Sequence, residues 1–241
     1  MNWYVACLLA SRPMPHRGGR TPVQRCWRLI LAEDHDGAYA QARQLGHETT
    51  GPSFLGVAEL LLIYGNPADG EEIIWQESEM GDAEIRRAPR AKSALRAFRG
   101  PGSSAAGWYV GSVLLREVHD EGSHGKRALV WTNFYLIQAP DPERAYLKAL
   151  QIGGAHEGSP GSHTCGEEKA HWEFVGLSNL IPVAQPPGPG SLLWCERASC
   201  RGDPRRELPE RSALGVFVWE EETQARVRSG GSAQDGRRGT P

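Results

Sequence analysis

One strand is written twice in this chain. Asn2-Trp3-Tyr4-Val5-Ala6-Cys7-Leu8-Leu9 returns as Gly107-Trp108-Tyr109-Val110-Gly111-Ser112-Val113-Leu114-Leu115. The residues after each copy also match, so the chain reads as one unit used twice. Each first strand is apolar on both alternating faces, the pattern of a strand covered on two sides. A second strand comes after a loop: Cys26 to Ala32 in one copy, Ala128 to Ile137 in the other. The loop before the latter, from Asp120 to Gly125, is Gly-rich and suggests an antiparallel hairpin.

A helix is expected next in both copies. Asp141 is a good N-cap, with Pro142 at the first helical position. Ala145, Ala149 and Ile152 form one stripe, and Gly153-Gly154 reads as a stop. In the first copy Asp34 caps, Ala38, Ala42 and Leu45 make the stripe, and Gly46 ends it. Tyr39 and Tyr146 correspond. The third strands share the pattern Phe-x-Gly-x-x-x-Leu, at Phe54 and Phe174, with a Gly suited to a bulge or a close backbone approach. The fourth strands are Glu72 to Glu77 and Leu192 to Glu196. Beyond them Arg86-Arg87, Ser93-Ala94-Leu95 and Phe98 map onto Arg205-Arg206, Ser212-Ala213-Leu214 and Phe217, each pair as far apart as 86 is from 205.

The fold class expected is α+β: two similar ββαββ units, each a small antiparallel sheet with one helix across a face, packed with pseudo-two-fold symmetry. The first unit spans residues 1–100, a linker 101–106, the second unit 107–221, and a disordered tail 222–241. A length of 241 residues accommodates two such units.

The residues Trp-Tyr-Val at the start of a unit, Leu-Ile-x-Ala before its helix, and Trp172-Glu173-Phe174-Val175-Gly176-Leu177 after it resemble the bacterial domain of unknown function family 4288, here in tandem. The second copy matches better, since Pro52-Ser53 replaces Trp172-Glu173 in the first. The resemblance implies a fold and no catalytic residues.

Composition narrows the function classes. A formal net charge of -2 argues against a globally polyanion-binding protein. Met1 to Ala10 lacks a basic n-region, and its apolar run ends at Ser11-Arg12-Pro13, so no signal peptide is expected. No run approaches the roughly 18 apolar residues of a membrane helix. The five cysteines are odd in number and form no C-x-x-C pair, which together with the above points to the cytoplasm. Cys7 and Cys26 lie in strand patterns and are expected as buried, inert thiols.

The candidate ligand-binding residues are His47-Glu48 and His156-Glu157, read as two copies of one dyad able to meet between the units. Histidine is a common ligand and a base near neutral pH, although a His beyond a helix end also suits the helix dipole. A zinc site could be drawn from His156, His163, Cys165 and His171, but their spacing fits no standard knuckle, and no metal is expected. Two basic runs, Arg86, Arg87, Arg90, Lys92, Arg96 and Arg99, then Arg197, Arg201, Arg205, Arg206 and Arg211, are diluted by acids and read as solvated faces. Of the eight tryptophans, Trp3 with Trp108 and Trp75 with Trp194 recur at matched positions, which argues for core packing. No catalytic motif is present, and no catalytic residue or cofactor is assigned. The expectation is a non-enzymatic protein-interaction protein of an immunity or accessory kind, its partner another protein rather than nucleic acid or membrane. The alternative is a ligand- or metal-binding protein with its site between the units at the His-Glu dyads.

Overall fold

The computed structural model describes residues 1–11, 20–99, 104, 106–119, 127–158, 163–165 and 168–218, with no side chains given at 163–165 and 168. The expected linker and tail lie mostly or wholly outside these residues. The chain runs β1 (Asn2–Ser11), β2 (Arg20–Ala32), α1 (His35–Thr50), β3 (Phe54–Ile63), β4 (Glu72–Met80), α2 (Asp82–Ile85), β5 (Trp108–His119), β6 (Ala128–Gln138), α3 (Pro142–Ala155), β7 (His163–Cys165), β8 (Glu168–Val183) and β9 (Leu192–Arg201), with short 3-10 turns after β4 and β9.

The strands form two antiparallel sheets, ordered β3-β1-β2-β9 and β4-β6-β5-β8-β7. They pack face to face through Val5, Trp27, Leu29 and Ile63 on one side and Val110, Phe134, Leu136 and Ile181 on the other. The strand alternation sends Tyr4, Ala6, Ile30 and Leu60 outward beneath α1. Likewise Tyr109, Tyr135, Ile137 and Leu180 lie beneath α3. The order is helix, sheet, sheet, helix. That explains why both first strands are apolar on two faces, and it bears out the α+β class and the pseudo-symmetric pairing.

The helices start where expected. Asp34 Oδ1 accepts from the Gly37 N–H at 2.7 Å, and Asp141 Oδ1 from the Arg144 N–H at 2.7 Å. They do not stop where expected, because Gly46 and Gly153 lie inside the helices. A Cβ on Gly46 would sit 2.3 Å from the Phe54 ring, and one on Gly153 2.3 Å from the Phe174 ring. Each glycine lets an aromatic ring from the next strand press on the helix backbone. The strand glycines Gly56 and Gly176 do both things expected of them. Each has positive φ, near a register shift of its strand against β1 or β5. Each also admits a close neighbour, Leu208 and Pro89 respectively.

The main departure is that the units exchange their fourth strands. β4 belongs by sequence to the first unit but pairs with β6 of the second, from Glu72↔Tyr135 to Met80↔Ala128. β9 makes the reciprocal pairing with β2, from Arg20↔Arg201 to Arg28↔Leu192. To reach the free side of β2 in its own sheet, the chain leaving β3 would have to cross a face of that sheet. Both faces are covered, and a connection there would bury unpaired peptide groups. Crossing to the facing sheet avoids this.

The segments after each exchanged strand go with it. Leu95 and Ala97 are buried with α3, while Leu214 and Val216 are buried with α1. Their anchors repeat: Arg96 N–H donates to Asn179 Oδ1 at 3.2 Å, and Gly215 N–H to Glu59 Oε1 at 3.1 Å. Lys92 pairs with Glu143 and lies over Phe98 and Tyr146. Arg211 pairs with Asp36 and lies over Phe217 and Tyr39. The correspondence of Tyr39 with Tyr146 is thus realised in space. Two members of the basic runs are clamps on the opposite unit's helix.

Two further expectations are corrected. Cys26 is not a free thiol: it forms a disulfide with Cys195 across β2 and β9, with Cα atoms 4.2 Å apart. Cys7 is buried and free, as expected. Trp75 and Trp194 do not occupy equivalent positions. Trp194 lies opposite Trp27 and Ile74 opposite Phe134, so Trp194 matches Ile74 and Trp75 matches Cys195. A one-residue offset reverses the face of a strand residue. Trp194 is accordingly in the inter-sheet core, while Trp75 points outward and is 36% exposed.

Candidate functional site

The four residues expected to share a site do not form one between the units. His47 is exposed in the last turn of α1, its ring edge-on to Phe54 at 4.8 Å. Glu48 accepts from Gln44 Nε2 at 2.8 Å. His156 and Glu157 come just after the end of α3, and α1 and α3 cover opposite outer faces of the molecule. The dyads are not copies either. Gly46 and Gly153 are equivalent through their phenylalanine contacts, so His47 matches Gly154 and His156 matches Thr49. Among the described residues no group of three or more His, Cys, Asp or Glu could hold a metal ion. The side chains of His163 and Cys165 lie outside the description.

His156 nevertheless belongs to a polar cluster on the outer face of the second sheet. Its Nε2 lies 2.8 Å from the Tyr135 hydroxyl, which is 2.9 Å from Glu72 Oε2. Asn133 Nδ2 donates to the same carboxylate oxygen at 2.8 Å. Tyrosine has one proton to give. With Glu72 ionised it goes to the carboxylate, so His156 Nε2–H must donate to the tyrosine oxygen. The result is one directed chain, His156 to Tyr135 to Glu72. Burial raises the Glu72 pKa, against the hydrogen bonds from Tyr135 and Asn133 and the charge of His156. Burial likewise raises that of Tyr135.

Beside the cluster runs an aromatic shelf. Trp75 on β4 lies directly opposite Asn133 and meets Trp131 on β6 at 5.5 Å. Trp131 meets Trp172 on β8 at 4.3 Å, spanning β5. Opposite Trp172 stands Glu117, buried at 7% exposure and 3.6 Å from His119 Nε2. Glu77 and Glu79 extend the same face of β4, which is the edge strand. A shelf of indoles bordered by carboxylates and a half-buried proton-bearing chain can hold a flat or cationic group against the sheet.

Sequence reasoning found His156 and missed Glu72, Asn133 and Tyr135. Glu72 and Tyr135 lie 63 residues apart in sequence, and the pairing that joins them exists only because β4 is exchanged.

Residues 108–193 match the family model described as Domain of unknown function (DUF4288). None of the curated proteins and none of the solved structures matches the chain. The matched stretch runs from the first residue of β5 to the second of β9. It contains Trp131, Asn133, Tyr135, His156 and Trp172, whereas Glu72 and Trp75 come from the first unit.

Proposed function

We propose that this chain is a non-enzymatic protein-interaction module, docking its partner on the outer face of the second sheet beside the C-terminal end of α3. The observation that carries this reading is Trp75, a tryptophan that reaches solvent from an edge strand while meeting the Trp131 ring at 5.5 Å. A partly exposed indole resting on a second tryptophan is the kind of anchor that dominates binding energy in protein interfaces. The acidic residues Glu72, Glu77 and Glu79 on the same strand favour a basic partner surface.

The first unit is read as a diverged copy of the matched family domain, supported by the reciprocal strand exchange and the repeated clamps. An immunity or accessory role is the setting such a compact module fits. The cytoplasmic assignment loses the support of the unpaired cysteines, because Cys26 and Cys195 do pair.

A photo-crosslinking amino acid at position 75, compared with one at the exposed Arg43 on α1, tests the reading in the cells the protein comes from. One protein adduct at 75, absent at 43 and lost from pull-downs of a folded Trp75→Ala variant, is expected. Equal labelling at both positions, or none at 75, would overturn the proposal.

A further inference from the structure

The surface around Trp75 includes a carboxylate of which one oxygen, Glu72 Oε1, accepts no hydrogen bond among the described residues. We infer that Glu72 and Trp75 together receive the cationic end of an arginine or lysine side chain presented by the partner protein. This inference rests on the interaction reading of the same surface.

The pseudo-symmetry supplies an internal control. Glu72 faces Tyr135 where Leu192 faces Arg28, and Trp75 faces Asn133 where Cys195 faces Cys26. On the first sheet these four positions hold structural groups: a disulfide, an aliphatic side chain, and an arginine whose Nη1 donates to the Gly190 carbonyl at 2.9 Å. The same architecture is therefore built without a polar cluster. Tyr135 and Asn133 tie β4 to β6 through Glu72 Oε2, but that tie requires neither the second carboxylate oxygen nor a solvent-reaching indole at position 75.

The geometry leaves one part of the carboxylate unused. Glu72 Oε2 accepts from both Tyr135 and Asn133. Oε1 accepts no hydrogen bond among the described residues and is not a buried orphan. An arginine or lysine donor can meet it there. Trp75 is 36% exposed, so part of its indole reaches solvent beside its contact with Trp131. A cation over an indole is attracted by its π face, and arginine also stacks on it. Glu77 adds negative charge along the strand. Arg127 pairs with Glu79 and Glu84 at the far end of β4. A carboxylate or phosphate ligand would meet like charge here.

The test titrates the full chain with a short arginine-rich peptide, the matching glutamate-rich peptide, and methylguanidinium alone, monitoring tryptophan fluorescence and heat. Binding of the arginine peptide and not the glutamate peptide is expected. Glu72→Gln keeps an acceptor for Tyr135, and Trp75→Leu keeps bulk. Each should weaken that binding about tenfold, a difference of about 1.4 kcal/mol, with the thermal midpoint retained. Methylguanidinium should compete weakly in the wild type and not in Glu72→Gln. Absence of arginine-peptide binding at low salt, or binding indifferent to Glu72→Gln, would overturn the assignment. The crosslinked partner separates the two levels. Its retention by Glu72→Gln removes the cation site and leaves the interaction reading standing, whereas its retention by Trp75→Ala removes the interaction reading itself.

Discussion

Cys26 and Cys195 stand opposite each other in neighbouring strands although 169 residues separate them in sequence. Their bond ties the strand that the second unit contributes to the sheet of the first. The other sheet has Asn133 and Trp75 at the equivalent positions and no covalent tie. The two halves are therefore alike in topology and unlike in how their exchanged strands are held.

Reduction should lower stability. A cross-link closing a loop of this length restrains the unfolded chain by about 2–5 kcal/mol, or roughly 5–20 °C in Tm for a domain of this size. Thermal melts with and without a dithiol should show that drop. The double variant Cys26→Ser, Cys195→Ser should match the reduced protein and ignore the dithiol. Cys7 should stay unreactive toward alkylating agents in the native state, because burial pushes its thiol up to about 12.

Strand exchange makes each half depend on the other. Without β9 and the segment after it, the first sheet loses the pairing on β2 and the cover of Leu214 and Val216 over α1. Chain segments 1–103 and 104–218 made separately should lack the native melt. Mixing them under oxidising conditions should restore cooperative unfolding, read by circular dichroism. Two segments that each fold as independent monomers would contradict the exchanged topology.

The glycines within the helices should not tolerate even a methyl group. Gly46→Ala and Gly153→Ala each place a carbon well inside contact distance of a packed phenylalanine ring. A loss of about 1–3 kcal/mol is expected for each, despite alanine's better helix propensity. Denaturant unfolding measures it, and Gly154→Ala, with open space at its Cβ, serves as the control.

The raised pKa of Glu72 carries a sign. Burial favours the protonated carboxyl in the folded state, outweighing the donors that face it. A folded pKa above the unfolded one gives stability that is present at low pH and lost as pH rises through the folded value. Glu72→Gln removes that titration. The stability of the wild type relative to Glu72→Gln should fall as pH rises through the carboxylate range, measured by urea unfolding at successive pH values.

The repeat, the two-sided first strands, the Asp34 and Asp141 caps and the α+β class could all be read from residue order. Each is a local preference or a periodicity, carried by side chains close together in the chain. The helix ends were misread for a similar reason: Gly46 and Gly153 carry a local stop signal, but contact with Phe54 and Phe174 overrides it. What only the tertiary structure decided is which sheet each fourth strand joins. An exchanged strand makes the same pairings as one kept at home, so its alternation is the same in either place. That choice brought Glu72 to Tyr135 and Trp75 to Asn133. It also placed Cys26 against Cys195, while the packing of the two sheets face to face put His47 and His156 on opposite sides.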